Sequence, residues 1–479
     1  MTTPERMLGS GIWWVPGNDA SVVRGTLSIN DAGVPKLVTD EDLPAEWIPE
    51  SVREAAGDGY YFEVIHGKIS SDPITLISCT LFVDYPGWSQ ATALSRGTLD
   101  YAWVSGHNDA AFVQARIGID NAASWGAQHS LTVNEASESE RSERAPVTLV
   151  AATFPESQVT TVSDIQVGIS WHLTREVAQT HRGNDVHLRE VAFFTLDSAD
   201  GFNLDQLDTF VRALQDLLTF AAGRECAVHQ IALEVNERTG GRVWNYESGF
   251  HPTLYLYINK RYSSTAESSY VPGARMLFRL TDVDFRVVIE RWFALQERFR
   301  AVLGTLLLDR YSTRQTLENR TIATVTAIEQ SYRSLDLPEH FVSEKVLRRL
   351  RGLVRHAIEG DEELAMHSLR ISQQIDRRIT LDDRIRGVLD NLGEGLGVLF
   401  ADEESKERWI VAAKRARNDL AHTGRTVRYD ADALKAISKT AIAVLELTIL
   451  KELGLSEYQL ISTVQRCRRN IIALQSAIG

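Results

Sequence analysis

Lys414-Arg415-Ala416-Arg417-Asn418-Asp419-Leu420-Ala421-His422-Thr423-Gly424 closes a stretch that predicts a helix over 404–422. Gly just past the last periodic residue is a helix stop. Set Trp409 at zero and advance about 100° per residue; Trp409, Ala413, Ala416 and Leu420 then fall within about 60° of one another and form a core stripe. Asn418 and His422 fall near the opposite side, one turn apart. Lys414 and Arg415 share that polar face, and Arg417 sits between the two faces with a stem long enough to reach round.

Working outward, the surrounding chain reads as helix after helix. The pattern predicts a continuous helix over Arg286–Arg310 and further helices near 316–335, 342–358, 361–376, 382–391, 404–422, 431–453 and 456–476. Punctuation is sparse: Pro338, Gly360, Gly393–Gly397, Gly424 and Gly454. Strand signals lie earlier. Ile74–Val83 is β-branched and bounded by Pro73 and Pro86, and Leu254, Leu256 and Ile258 alternate with Thr253, Tyr255 and Tyr257. Trp13-Trp14 reads as a strand entering the turn Val15–Asn18. Between strands, Asn203 can cap a helix striped by Leu204, Leu207, Val211, Leu214 and Leu218 and ended by Gly223, and Gln230–Val235 follows as a strand. Residues 134–146 hold no large apolar side chain and read as a solvated loop at an internal boundary. The expected fold class is therefore multidomain: a β-rich region over 1–148, an α+β region over 149–300 that forms one or two units with it, and an all-α bundle over 301–479.

The 479 residues carry a net charge of −13, unevenly spread. Residues 311–479 hold 26 basic and 24 acidic side chains, leaving 25 basic and 40 acidic, or −15, in 1–310. An acidic front repels bulk nucleic acid, so an RNA contact has to come from a local basic patch. Apolar runs such as Ile442–Leu450 are broken by Glu446 and Thr448, short of the roughly 18 residues a membrane helix needs. The opening MTTPERMLGSG lacks the apolar core of a signal peptide, so a cytoplasmic location is the expectation. Cys79, Cys226 and Cys467 are far apart and odd in number, which points to three buried thiols rather than disulfides or a thiolate zinc site.

The chemistry that Arg, Asn and His suggest on one helix end is RNA cleavage by the RNA's own 2′-hydroxyl. That reaction needs a base for the 2′-OH proton, an acid for the departing 5′-oxygen and a cation for the phosphorane charge. Histidine suits both proton roles near neutrality, and arginine presents a planar fork to phosphate. No metal or other cofactor is required by this scheme. Arg-x4-His spacing also occurs at Arg182/His187, Arg224/His229 and Arg351/His356. The last copy lies on a predicted helix and competes directly; the 417–422 copy differs by the adjoining Asn418 and the closing Thr-Gly. Other motifs carry less. Trp13/Trp14 reads as core, Ser170-Trp171-His172 lacks a nucleophile elbow, and Gly393–Gly397 has no lysine after it and reads as an interhelix turn.

RNDLAHTG at 417–424 resembles the Arg-x(4–6)-His signature of HEPN ribonucleases, and its flanks resemble the ApeA-like branch of anti-phage abortive-infection proteins. GIWWVPG at 11–17 followed by Gly25-Thr26-Leu27, HGKISSDPITLISC at 66–79, the 202–222 helix with its following strand, and Trp292 leading on to AIEQSYRSL at 327–335 extend the likeness over nearly the whole chain. The resemblance implies a HEPN bundle and a metal-independent endoribonuclease with Arg417, His422 and Asn418 catalytic. It implies Glu329 as a supporting polar residue from the first bundle helix; Lys414 and Arg415 on the polar face would bind RNA. It further implies a homodimer or higher homo-oligomer whose Arg–His motifs face each other, an RNA substrate such as tRNA, and a phage-encoded trigger protein sensed by the front region. A different class also fits: a non-catalytic dimeric binding or sensor protein whose bundle only mediates assembly. A carbohydrate- or peptide-binding sandwich with a helical oligomerisation tail is the third.

Overall fold

A computed structural model of the chain describes residues 9–29, 34–41, 43–47, 59–83, 91–108, 112–126, 131–135, 148–152, 155–180, 183–235, 242–243, 254–258, 270–312, 315–338, 344–358, 361, 364, 367, 379–467 and 471–478. The helix expected over 361–376 and most of the 134–146 loop lie outside them. The chain divides into two compact units, Met1–Phe293 and Ala294–Gly479.

In the first unit, strands β1 (Gly9–Trp14), β2 (Val23–Ile29), β3 (Pro35–Thr39), β4 (Tyr60–Ile69), β5 (Asp72–Val83) and β6 (Ala91–Asp100) form a closed antiparallel barrel. Its order is β6-β3-β2-β1-β4-β5, and pairing of β5 back to β6 leaves no free edge there. Trp13, Leu27, Leu37, Ile65, Leu76 and Leu81 fill the interior. Gly67 is required beside Trp13, because a Cβ there would lie 2.2 Å from the indole ring. Trp13 is thus core, while its neighbour Trp14 is half-buried and meets His66 and Trp103 edge-on.

After the barrel come β7 (Ala102–Trp103), β8 (Phe112–Ile119), β9 (Leu131–Glu135), β10 (Thr148–Ala152), β11 (Gln158–Val162), β12 (Ile165–Thr180), β13 (Gly183–Phe202), β14 (Val228–Val235), β15 (Arg242–Val243) and β16 (Leu254–Ile258); β8, β11, β12, β13, β14 and β16 extend the barrel's sheet, whereas β7 pairs with β15 and β9 with β10 in ladders of their own. The order β11-β12-β13-β8-β14-β16 reaches the barrel where β16 meets β6. Asn134 and Glu135, expected in a loop, instead end β9, because the backbone there pairs with Thr148 and Leu149. Helix α1 is the short Ala122–Gly126 and α2 is Leu204–Ala222. Asn203 and Gln206 form a capping box on α2, Gly223 ends it in the left-handed conformation, and the four leucines and one valine of the stripe are buried.

Helix α3 (Phe285–Arg298) is followed by α4 (Arg300–Tyr311). The single helix expected over 286–310 is therefore broken at Phe299, whose backbone leaves helical dihedrals (φ −109°, ψ 23°) while its ring is fully buried. Helical periodicity does not register one residue yielding its dihedrals to burial of an aromatic ring.

The second unit is helical: α4, α5 (Leu317–Ser334), α6 (Glu344–Ile358), α7 (Leu381–Leu392), α8 (Glu403–Thr423), α9 (Ala431–Leu453), α10 (Glu457–Cys467) and α11 (Ile471–Gln475). The helix expected over 456–476 corresponds to α10 and α11, and residues 468–470 between them lie outside the description. Helix α9 is buried on nearly every side and forms the axis of the bundle, against which α4, α5, α7, α8, α10 and α11 pack. A helix apolar all round has to be enclosed by others. Glu446, in its middle, receives the Arg310 guanidinium of α4 at 2.6 Å, with both side chains under 5% exposed. Among the described residues no helix is long and apolar enough to cross a membrane. Cys79 and Cys226 are buried, with thiols that burial pushes up to about 12, whereas Cys467 is half-buried, not enclosed as expected.

Candidate active site

Helix α8 begins at a capping box made by Asp402 and Ser405 and ends at Gly424, which takes a φ of 70° and donates its N–H to Leu420 O. Trp409, Ala413, Ala416 and Leu420 are buried as the spacing requires, joined by Ile410 and Ala412. The alanines let α8 approach closely, and it packs against α5, α7 and α9. The polar side chains of the last three turns then divide into an inner and an outer group.

Arg417 belongs to the inner group. Its Nη1 donates to Asn418 Oδ1 at 3.1 Å and its Nη2 lies 3.7 Å from Glu329 Oε2 on α5. Glu329 also receives Arg384 Nη1 from α7, so one carboxylate sits between two guanidiniums and the cluster keeps a net positive charge. The Arg417 Nε atom is buried and has no hydrogen-bond partner among the described residues, so the fork is not saturated. Lys414 Nζ donates to Asp382 Oδ2 of α7 at 2.9 Å.

His422 and Arg415 form the outer group. Both are exposed, and neither makes a hydrogen bond or ion pair among the described residues. They are seven residues apart, about two turns and nearly one azimuth, with the half-buried Asn418 between them. Arg417 and His422 are about 7.5 Å apart along the axis and about 140° round it, so they are not hydrogen-bond partners on one helix. The geometry brings Arg417, Asn418 and Glu329 together, turns Lys414 aside to a carboxylate, and leaves His422 and Arg415 facing outward.

Asp382 and Arg384 complete the inner cluster and were not among the residues the sequence singled out. Nothing in Leu381-Asp382-Asp383-Arg384 distinguishes them from an ordinary acidic first turn after the Thr380 cap. Among the described residues there is no group of three or more His, Cys, Asp and Glu side chains arranged to hold a metal ion. Arg351 and His356 both lie on α6, where Val346, Leu350 and Leu353 are exposed and Leu347 is buried. Replacing both Arg351 and His356 with alanine is expected to leave RNA cleavage within about threefold of the parent in a gel assay. A folded but inactive double variant would transfer the site to α6. Ser170 Oγ lies 3.1 Å from His172 Nε2, but the two are next-but-one neighbours on β12, and burial and Arg116 hold that imidazole below its ordinary value.

A family model described as ApeA N-terminal domain 1 matches residues 10–292, and one described as Apea-like HEPN matches residues 307–459. No curated protein and no solved structure matches the chain.

Proposed function

Since the chain belongs to the ApeA-like proteins, with an ApeA N-terminal domain 1 and a C-terminal HEPN domain of the defence-related nuclease type, we propose that it is a metal-independent endoribonuclease of anti-phage abortive infection. Its substrate is cellular RNA such as tRNA, and the front region senses a phage-encoded protein. The observation that carries the reading is the division of α8: an exposed His422 with no partner among the described residues on its outer side, and an Arg417 paired with Glu329 on its inner side.

In this reading Arg417 and Asn418 meet the scissile phosphate. Two N–H groups of a guanidinium can bridge phosphate oxygens, and the charge grows in value as the phosphorane forms. Glu329 acts through Arg417 and is a positioning residue. His422 exchanges a proton with the 2′-hydroxyl or the 5′-oxygen. One chain supplies one such imidazole, so base and acid together call for a second copy related by a two-fold axis. The working form is a homodimer in the cytoplasm. Lys414 is neutralised in place by Asp382, and Arg415 contacts RNA directly.

End-group analysis tests the chemistry. Attack by the 2′-hydroxyl breaks the P–O5′ bond and leaves a 2′,3′-cyclic phosphate and a 5′-hydroxyl. The full chain, incubated with 5′-labelled RNA in EDTA, should yield those ends and should spare an RNA carrying 2′-deoxyribose at the cleavage position. Products with 5′-phosphates, formed only when a divalent metal is added, would overturn the scheme. Assembly has its own test: the unit 294–479 carrying His422→Ala should sediment as a dimer, and a monomer would remove the paired site.

A further inference from the structure

Cations on α8 and the turn after it are of two kinds. Lys406 pairs with Glu403 and Asp390, Arg408 with Glu404, Lys414 with Asp382, and Arg417 with Glu329. Arg415, Arg425 and Arg428 are exposed and make no ion pair among the described residues. The unpaired ones gather at the His422 end.

The segment Gly424–Asp430 that carries Arg425 and Arg428 has no regular structure, yet its own side chains shape it. The Thr423 hydroxyl lies 2.7 Å from Asp419 O and 2.6 Å from Arg425 O, bridging the helix end to the turn. The Thr426 hydroxyl donates to Asp419 Oδ2 at 3.3 Å and accepts the Arg428 N–H at 3.3 Å. Asp430 then caps α9, its side chain accepting the Ala433 N–H. Both ends of the turn are thus tied to helices. Val427 is 93% exposed, while Thr426 and Tyr429 are half-buried. A turn held in this way presents Arg425, Val427 and Arg428 outward, with part of their ordering cost already met by the fold.

We infer that this turn is an RNA-gripping arm, in which Arg425 and Arg428 hold phosphates flanking the one at His422 on the side away from Arg415. The inference rests on the nuclease reading above and names the binding residues that reading lacks, since Lys414 is engaged by Asp382. RNA is the occupant because these exposed cations lie within a few residues of His422, where the nuclease reading puts the scissile phosphate, and a guanidinium fork matches phosphate. Val427 between the two arginines offers an apolar contact to a sugar or base.

The test uses the full chain with His422→Ala, so that binding is read without cleavage, and a fluorescein-labelled single-stranded oligouridine whose anisotropy is followed against salt. Adding Arg425→Ala and Arg428→Ala should weaken binding by about tenfold or more near 0.1 M salt and reduce the log–log salt slope by about 1.4, from about 0.7 per phosphate contact on single strands. The corresponding double lysine variant should recover most of the affinity, because it keeps the charge. Unchanged affinity and slope in the alanine variant would overturn the inference while leaving the nuclease reading in place. A lysine variant no better than alanine would also overturn it. If the wild type cleaves no RNA but the slope falls as stated, the arm stands and the nuclease reading fails.

Discussion

Replacing His422 by alanine is expected to lower RNA cleavage by about 10²–10⁴-fold, the range a positioned acid or base supplies. Fold and assembly should be unaffected, because the imidazole is exposed and makes no hydrogen bond or ion pair among the described residues. Arg417→Ala is expected to cost about 10²–10³-fold, as loss of one preorganised donor to a developing oxyanion does. It should also leave the bundle folded, since Glu329 keeps Arg384 as its partner. Arg417→Lys should remain well below the parent: an ammonium is a point charge and cannot reproduce the planar fork that reaches Asn418 and Glu329 together. The measurement is single-turnover cleavage of a labelled RNA, with circular dichroism and sedimentation as controls. Full activity in His422→Ala would remove this helix end from the chemistry. A misfolded Arg417→Ala would instead make the Glu329–Arg417–Arg384 cluster a packing device, which is what the non-catalytic reading requires.

Glu446→Ala is expected to destabilise the bundle by about 3–5 kcal/mol, because it strands the Arg310 guanidinium in an apolar interior. The pair is made at 2.6 Å between side chains 4% and 3% exposed, so water cannot take over the lost partner. Removing both charges should be far milder. Arg310→Met with Glu446→Leu is expected to return to within about 1–2 kcal/mol of the parent or to exceed it, since well-packed apolar replacements of buried pairs are often neutral or stabilising. Urea unfolding of the four corners of this cycle, followed by circular dichroism, gives the coupling. A single alanine variant costing under about 1 kcal/mol would mean that the two groups reach solvent. The pair sits on α9 and α4 rather than on α8, which carries the side chains proposed for catalysis, so a surviving folded fraction should cleave RNA at the parental rate per molecule.

The helices of the second unit could be read from the chain because their signals are local. Thr316, Thr380, Asp402 and Asp430 each cap a helix by accepting an N–H three residues on, and Gly424 and Gly454 each end one in the left-handed conformation. Caps and i,i+4 periodicity act within a few residues, so residue order alone carries them. The stripe of Trp409, Ala413, Ala416 and Leu420 was legible for the same reason, and with it the outward position of His422. Strands β5, β14 and β16 were visible as β-branched or alternating runs.

Partnership between distant segments was not legible. That β1 pairs with β4 and β3 with β6, which completes the barrel, joins residues 52 to 58 positions apart, such as Trp14 with His66 and Lys36 with Leu94, and no local pattern records that. Phe299 breaks a periodic stretch because its ring finds an enclosed site, a matter of packing rather than propensity. The same holds at the candidate site. Sequence placed Lys414, Arg415, Arg417, Asn418 and His422 on one helix and put Glu329 at the edge of another's apolar face. Only the packing of α5, α7 and α8 decided that Glu329 sits between Arg384 and Arg417, that Asp382 takes Lys414, and that Arg415, Arg425 and Arg428 have no ion pair among the described residues. Helix faces follow from a 3.6-residue repeat within one segment; which charges meet follows from burial, which brings together groups that the chain holds 32 to 88 residues apart.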